Sequence, residues 1–219
     1  MTHAERMERF EKSDLYVVIT EAFCAGRSSV EVLDAVLEAG VTLIQFREKD
    51  LDDDRMYDRA RAFRRLTRKA DALLIVDDRI DVALAVEADG VHLGRHDLPI
   101  SVARKLAPDI IIGASTHSVE QAHEAAKAGA GYVNIGPIYA TQTKQKTAAP
   151  LGPEIIEEIT REVSIPVTCM GGIKPENIAE VLAHGARHPA VVTAVTAHPD
   201  PQAAAAGLRA RILECANPA

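Results

Sequence analysis

The stretch Thr141-Gln142-Thr143-Lys144, reached through Gly136-Pro137-Ile138-Tyr139 at the end of an apolar run, concentrates more chemistry than any other in this chain. Behind a glycine-proline turn it sets two hydroxyls and an ammonium. Together these offer close backbone approach, hydrogen-bond donors and a fixed positive charge, the equipment for holding a phosphorylated ligand. The alternative is an ordinary solvated loop, where threonine and lysine are also common. The stretch 139–150 is long for a barrel loop and nearly without apolar anchors, so it reads as a lid that anionic ligand would order.

Gln45, Arg47 and Lys49 stand two apart, so on a strand they share a face, spaced at about 6 to 7 Å. Such a row at a rim suits an anion; the competing reading is an arginine paired to Glu48 or Asp50. Asp77-Asp78-Arg79 ends another β-rich run, and His92, Arg95, His96 and Asp97 follow the next. The carboxylates of Asp78 and Asp97 suit Mg²⁺, which takes a few carboxylates together with water and phosphate oxygens. A diphosphate between that metal and Arg47/Lys49 would have its charge balanced. Asp78 could instead cap a helix and Asp97 start the turn before Pro99. His92 and His96 lack a third nearby nitrogen or sulfur ligand for zinc. Ser115-Thr116-His117 places small hydroxyls at a strand end without a Gly-x-Ser-x-Gly elbow, so Ser115 reads as a hydrogen-bond donor to substrate and not as a nucleophile. Gly171-Gly172-Ile173 lets backbone N–H groups approach a phosphate, with a helix expected to begin at Pro175, and Val192-Thr193-Ala194 ends the last strand.

These residues need a frame that brings seven separate stretches together. Short β-rich runs recur at 15–20, 41–47, 73–77, 90–93, 110–114, 131–135, 165–170 and 190–194. Helical periodicity fills 29–39, 52–69, 78–86, 101–107, 119–128, 153–162, 175–184 and 202–213. Strict alternation requires a parallel sheet with right-handed crossovers, and eight repeats close a barrel. The fold class is therefore α/β, a single (β/α)8 TIM barrel over 15–219 behind a polar N-terminal extension, 1–14. An open doubly wound sheet is disfavoured because no G-x-G-x-x-G follows the first strand.

Of the 219 residues 47% are hydrophobic but only 4% aromatic, so Ala, Val, Ile and Leu must build the core, as buried parallel strands require. The net charge of -7 and the lack of a long Lys/Arg run argue against nucleic acid or a membrane surface as the main partner. Residues 1–14 do not resemble a secretory signal, and no apolar run is long enough to cross a bilayer. Three widely spaced cysteines, Cys24, Cys169 and Cys215, form no C-x-x-C pair, so a reduced, cytoplasmic protein is expected. Cys169 is more simply a core residue than a catalytic thiol.

Gln45-x-Arg47-x-Lys49, Asp78-Arg79, Gly90-Val91-His92-Leu93-Gly94-x-x-Asp97, Ser115-Thr116-His117, Gly136-Pro137-Ile138 with Thr141-x-Thr143-Lys144, and Gly171-Gly172-Ile173 occur in this order. The set closely resembles the thiamine-phosphate synthase family from about residue 15 to 201. The resemblance implies Mg²⁺-dependent joining of hydroxymethylpyrimidine diphosphate to a thiazole phosphate, giving thiamine monophosphate and diphosphate. It implies that Gln45, Arg47 and Lys49 meet the pyrimidine diphosphate, with Asp77 beside them, and that Asp78 and Asp97 ligate magnesium. Ser115 and Lys144 would contact the diphosphate, and Thr141, Thr143, Gly171, Gly172, Val192 and Thr193 would line the thiazole-phosphate site. Arg47, Lys49, Ser115 and Lys144 are the catalytic candidates. The partners are small phosphorylated substrates, and the resemblance suggests a homodimer. Asp77 stands where the family more usually has Asn, and Arg95 is expected to offset the added charge. Proteins resembling the thiazole tautomerase share the barrel but usually lack the magnesium and diphosphate residues, so Arg47, Lys49, Asp78, Asp97 and Lys144 favour the transferase.

Overall fold

The computed structural model describes residues 1–141, 143 and 149–216. Eight strands, β1 (Tyr16–Ile19), β2 (Leu43–Phe46), β3 (Leu73–Asp77), β4 (Gly90–Leu93), β5 (Ile111–Thr116), β6 (Tyr132–Ile135), β7 (Val167–Met170) and β8 (His188–Val191), pair in sequence order. All pairs are parallel and β1 joins β8, so the expected (β/α)8 barrel is closed. The strands are short and made largely of Val, Ile and Leu because both faces are covered.

The helices that cover the barrel are α1 (His3–Glu11), α2 (Ser29–Glu38), α3 (Asp53–Lys69), α4 (Ile80–Ala85), α5 (Ile100–Leu106), α6 (Val119–Lys127), α7 (Glu154–Glu162), α8 (Ile178–Ala183), α9 (Thr193–Thr196) and α10 (Pro201–Ala216). Local chemistry sets several starts. Ser28 and Glu31 form a capping box on α2, and the Ser118 hydroxyl accepts the Gln121 N–H at 3.3 Å to begin α6. No helix among the described residues is long and apolar enough to cross a membrane.

Three expectations change. The eighth strand ends at Val191, not at residue 194, and Thr193 opens the one-turn helix α9. The helix expected from Pro175 begins at Ile178, after a turn in which Asn177 Oδ1 accepts the Lys174 N–H at 2.8 Å. The polar stretch at the N-terminus contains α1, which closes the floor of the barrel. Phe10 is fully buried and stacks on Tyr132 with ring centroids 4.7 Å apart. Arg6 reaches Asp89 at 3.7 Å, a carboxylate that Arg64 also holds at 2.7 Å.

The apolar interior falls into two regions. The larger lies between strands and helices. The smaller fills the barrel lumen with Phe10, Tyr16, Leu43, Leu73, Ile75, Ile111, Tyr132 and Ala190. Above this plug the inward positions turn polar: Gln45, Asp77, His92, Asn134 and Thr168 are all buried. Inward alternation therefore converts a dry floor into a site at the C-terminal ends of the strands.

Candidate active site

Two cavities open at that end of the barrel. The smaller, about 230 Å³, is lined by Gln45, Arg47, Lys49, Asp77, Asp78, His92, Gly94, Arg95, His96, Asp97, Ser115 and Met170. The larger, about 690 Å³, is lined among others by Val18, Arg47, His117, Thr141, Thr143, Gly171, Gly172, Lys174, Val192 and Thr193. Arg47 and Met170 belong to both, so the cavities share a wall.

In the smaller cavity the end of β2 meets the end of β3. Lys49 Nζ lies 2.6 Å from Asp77 Oδ2 and also pairs with Asp78, while Arg47 Nε is 3.4 Å from Asp77. The ion pairs of Asp77 are thus to Lys49 and Arg47, and the expectation that Arg95 offsets its charge is not met. Arg47 and Lys49 reach Asp77 because, being two apart, they rise on one face of the chain. Burial pushes the Asp77 carboxyl up, against the pull of Lys49. Burial would lower the Lys49 ammonium, but Asp77 and Asp78 hold it above its ordinary value.

Asp78, the residue after β3, lies in the left-handed region, φ 59°, a conformation aspartate tolerates at modest cost. Its backbone N–H donates to the His92 carbonyl at 2.8 Å. The Asp78 and Asp97 carboxyls hydrogen-bond to one another. Burial pushes Asp78 up, but the hydrogen bonds from Lys49 and Asp97 outweigh it and leave the group below its ordinary value. Burial and the hydrogen bond to Asp78 raise Asp97. Asp97 Oδ2 also accepts the Gly94 N–H at 2.6 Å, which fixes the turn before Pro99. Asp78 does not cap α4, whose N-terminus has no side-chain cap.

Two neighbouring carboxyls form an oxygen pair that could hold a divalent cation. The donors are hard oxygens and few, which fits Mg²⁺ with its retained waters and phosphate ligands. Among the described residues no cluster of three or more His, Cys, Asp or Glu side chains is arranged for a metal, so any cation here would complete its shell from water and ligand.

The larger cavity is built by backbone. Gly171 and Gly172 have φ of 103° and 65°, and a Cβ on Gly172 would lie 2.7 Å from the Ala140 carbonyl oxygen. Only glycine lets this turn lie against the strand-six loop. Thr141, Thr143, Gly171, Gly172, Val192 and Thr193 come together here. Lys144 lies outside the described residues, as does most of the stretch expected to form a lid. Sequence reasoning misses Lys174 and Met170 as lining residues. Both flank the Gly171-Gly172-Ile173 turn, and their nearness to it was the available signal.

Cys169 is fully buried with its thiol pushed up by burial, a core residue and no nucleophile.

Residues 15–195 match the family model described as thiamine monophosphate synthase. The chain is 45% identical over 198 residues to the thiamine-phosphate synthase of Chloroflexus aurantiacus, covering 90% of this chain and 92% of that one. It is 46% identical over 204 residues to the Pyrococcus abyssi thiamine-phosphate synthase, covering 93% and 96%. The solved thiamine phosphate pyrophosphorylase of Pyrococcus furiosus superposes with a TM-score of 0.88 at 42% identity, over 96% of this chain and all of that one. With the barrel, the strand-end residues and these relatives in agreement, the chain belongs to the thiamine monophosphate synthase family of transferases.

Proposed function

We propose that this enzyme joins hydroxymethylpyrimidine diphosphate to thiazole phosphate, releasing diphosphate and forming thiamine monophosphate, with Mg²⁺ as cofactor. One observation carries the reading: a cavity lined by Arg47, Lys49 and the aspartates and a cavity walled by the Gly171-Gly172 turn share Arg47 and Met170, so two phosphorylated substrates could meet across a single wall. Diphosphate in the smaller cavity would draw Lys49 away from Asp77 and Asp78, and Arg47 and Ser115 would complete its contacts. Bound between Asp78 and Asp97, Mg²⁺ would supply further positive charge against the departing diphosphate. The pyrimidine methylene can leave as a resonance-stabilised cation, so the side chains need only stabilise the leaving group and hold the thiazole nitrogen in line. Gly172, Thr193 and the threonines of the larger cavity would orient the thiazole through its phosphate. No protein nucleophile is needed. Lys144 takes its role here from the family resemblance.

The test is turnover by purified protein given both substrates, with and without Mg²⁺. Thiamine monophosphate and diphosphate should appear in equal amounts and only with the metal. Isomerisation of the thiazole alone, or binding without turnover, would assign the barrel to another activity. Asp97→Asn removes the charge at constant volume and should lower metal-dependent turnover by about a hundredfold or more while sparing thiazole-phosphate affinity. Unchanged magnesium dependence in that variant would remove Asp97 from the metal site.

A further inference from the structure

Beneath the smaller cavity an unbroken chain of buried hydrogen bonds crosses the barrel. Gln45 Nε2 donates to Tyr16 Oη at 2.6 Å, Tyr16 Oη meets Tyr132 Oη at 2.9 Å, Tyr132 Oη meets His92 Nδ1 at 2.9 Å, and His92 Nε2 meets Ser115 Oγ at 2.9 Å. The two ends, Gln45 and Ser115, both line the cavity; the two tyrosines between them are fully buried beneath it. We propose that Gln45, Tyr16, Tyr132 and His92 form a directed relay whose output is the Ser115 hydroxyl, turned so that its proton points to an anion in the smaller cavity. The proposal rests on the diphosphate reading of that cavity.

Direction follows from counting protons. A tyrosine hydroxyl has one proton, so Tyr16, accepting from the Gln45 amide, donates onward to Tyr132. Tyr132 then donates to His92 Nδ1. That leaves the imidazole proton on Nε2, where it donates to Ser115 Oγ. Accepting from His92 through one lone pair, Ser115 keeps its own proton for a ligand. If the amide faced the other way, every bond would reverse and Ser115 would give its proton to His92, offering the cavity only lone pairs. An anion can use the first arrangement and is repelled by the second. Burial raises the pKa of both tyrosines, so neither hydroxyl ionises to break the sequence.

The barrel is shaped to hold this chain. A Cβ on Gly113 would lie 2.2 Å from Tyr132 Cζ, so the β5 glycine vacates the volume that the Tyr132 ring occupies. Phe10 stacks on the same ring from below. Tyr16 and Tyr132 are therefore positioning residues, acting on substrate through His92 and Ser115.

Two measurements test the relay. Nitrogen-15 correlation spectra of the imidazoles, with His92 assigned from the signal lost in His92→Gln, should place its proton on Nε2 in the wild-type protein. Tyr132→Phe keeps the ring and should loosen that preference toward a mixture of tautomers. Calorimetric affinity for inorganic diphosphate with Mg²⁺ should fall about tenfold in Ser115→Ala and several-fold in Tyr132→Phe, and the double variant should be no weaker than Ser115→Ala alone. Thiazole-phosphate affinity should hold in all three, which general loosening of the barrel would not spare. Tyr16→Phe, one bond further back, serves the same purpose if Tyr132→Phe does not fold. A wild-type proton on Nδ1 alone, or full diphosphate affinity in the folded phenylalanine variants, overturns the relay. Absence of diphosphate binding in the wild type would instead overturn the reading of the cavity, with the His92 tautomer still deciding the direction of the chain.

Discussion

Glu48 sits directly between Arg47 and Lys49, the two cations that follow β2, yet its side chain faces away from them and accepts the Glu21 N–H at 2.9 Å. Burial pushes its carboxyl from the ordinary 4.5 to about 7, with Arg47 pulling the other way. Because the folded value lies above the unfolded one, the folded chain binds this proton more tightly. Stability from this group therefore falls as pH rises from about 4.5 to 7, and the loss is complete above that window. Glu48→Gln keeps the accepting oxygen and removes the charge. It should raise the melting temperature at pH 8, by an amount corresponding to about 1 to 2 kcal/mol after allowance for partial exposure, and leave it unchanged near pH 4.5. Equal melting of both proteins at pH 8 would show that the carboxylate is adequately solvated. At this scale the sequence was informative about the cavity and silent about its floor. Arg47 and Lys49 could be placed together because two-residue spacing puts side chains on one face. Tyr16 and Tyr132 could not, since they are 116 positions apart and meet only when the barrel closes.

The turn after β7 shows what one element contributes. Gly172→Ala would force a side chain into left-handed backbone and against Ala140, whereas a methyl group on Gly185, at φ 91°, would meet nothing within 4 Å. Comparing the two alanine variants separates backbone strain from collision. Gly185→Ala should lose about 1 kcal/mol in denaturant unfolding, and Gly172→Ala about 1 to 3 kcal/mol together with most of its thiazole-phosphate affinity. Equal effects at both positions would mean that the loop yields freely. Element boundaries near this turn were the least legible in the sequence. Thr193 follows a β-rich run and by pattern belongs to a strand, but β8 ends at Val191 and α9 takes over, a change that depends on tertiary packing. The same applies to α1, whose charged outer face conceals the single aromatic that matters, Phe10.

The closed barrel was legible as a whole because alternation of β-rich and helical segments is a chain-wide pattern that local boundary errors do not disturb. Closure also decides that the two cavities lie side by side, since Met170 at the end of β7 and Arg47 just after β2 line both. Under the proposed function, that shared wall would couple the two sites. The factor by which inorganic diphosphate with Mg²⁺ alters thiazole-phosphate affinity must equal the factor measured in the opposite order. A flexible thioether can adopt one rotamer for an empty neighbour and another for a filled one, so it is a natural carrier of the linkage. Met170→Ala should move the factor toward one, by roughly fivefold if the wild-type linkage has the usual size. An unchanged factor would mean that Arg47 alone joins the two equilibria. In either case the partition sets a constraint: a change at Arg47 or Met170 acts on both cavities at once, because these two residues line both.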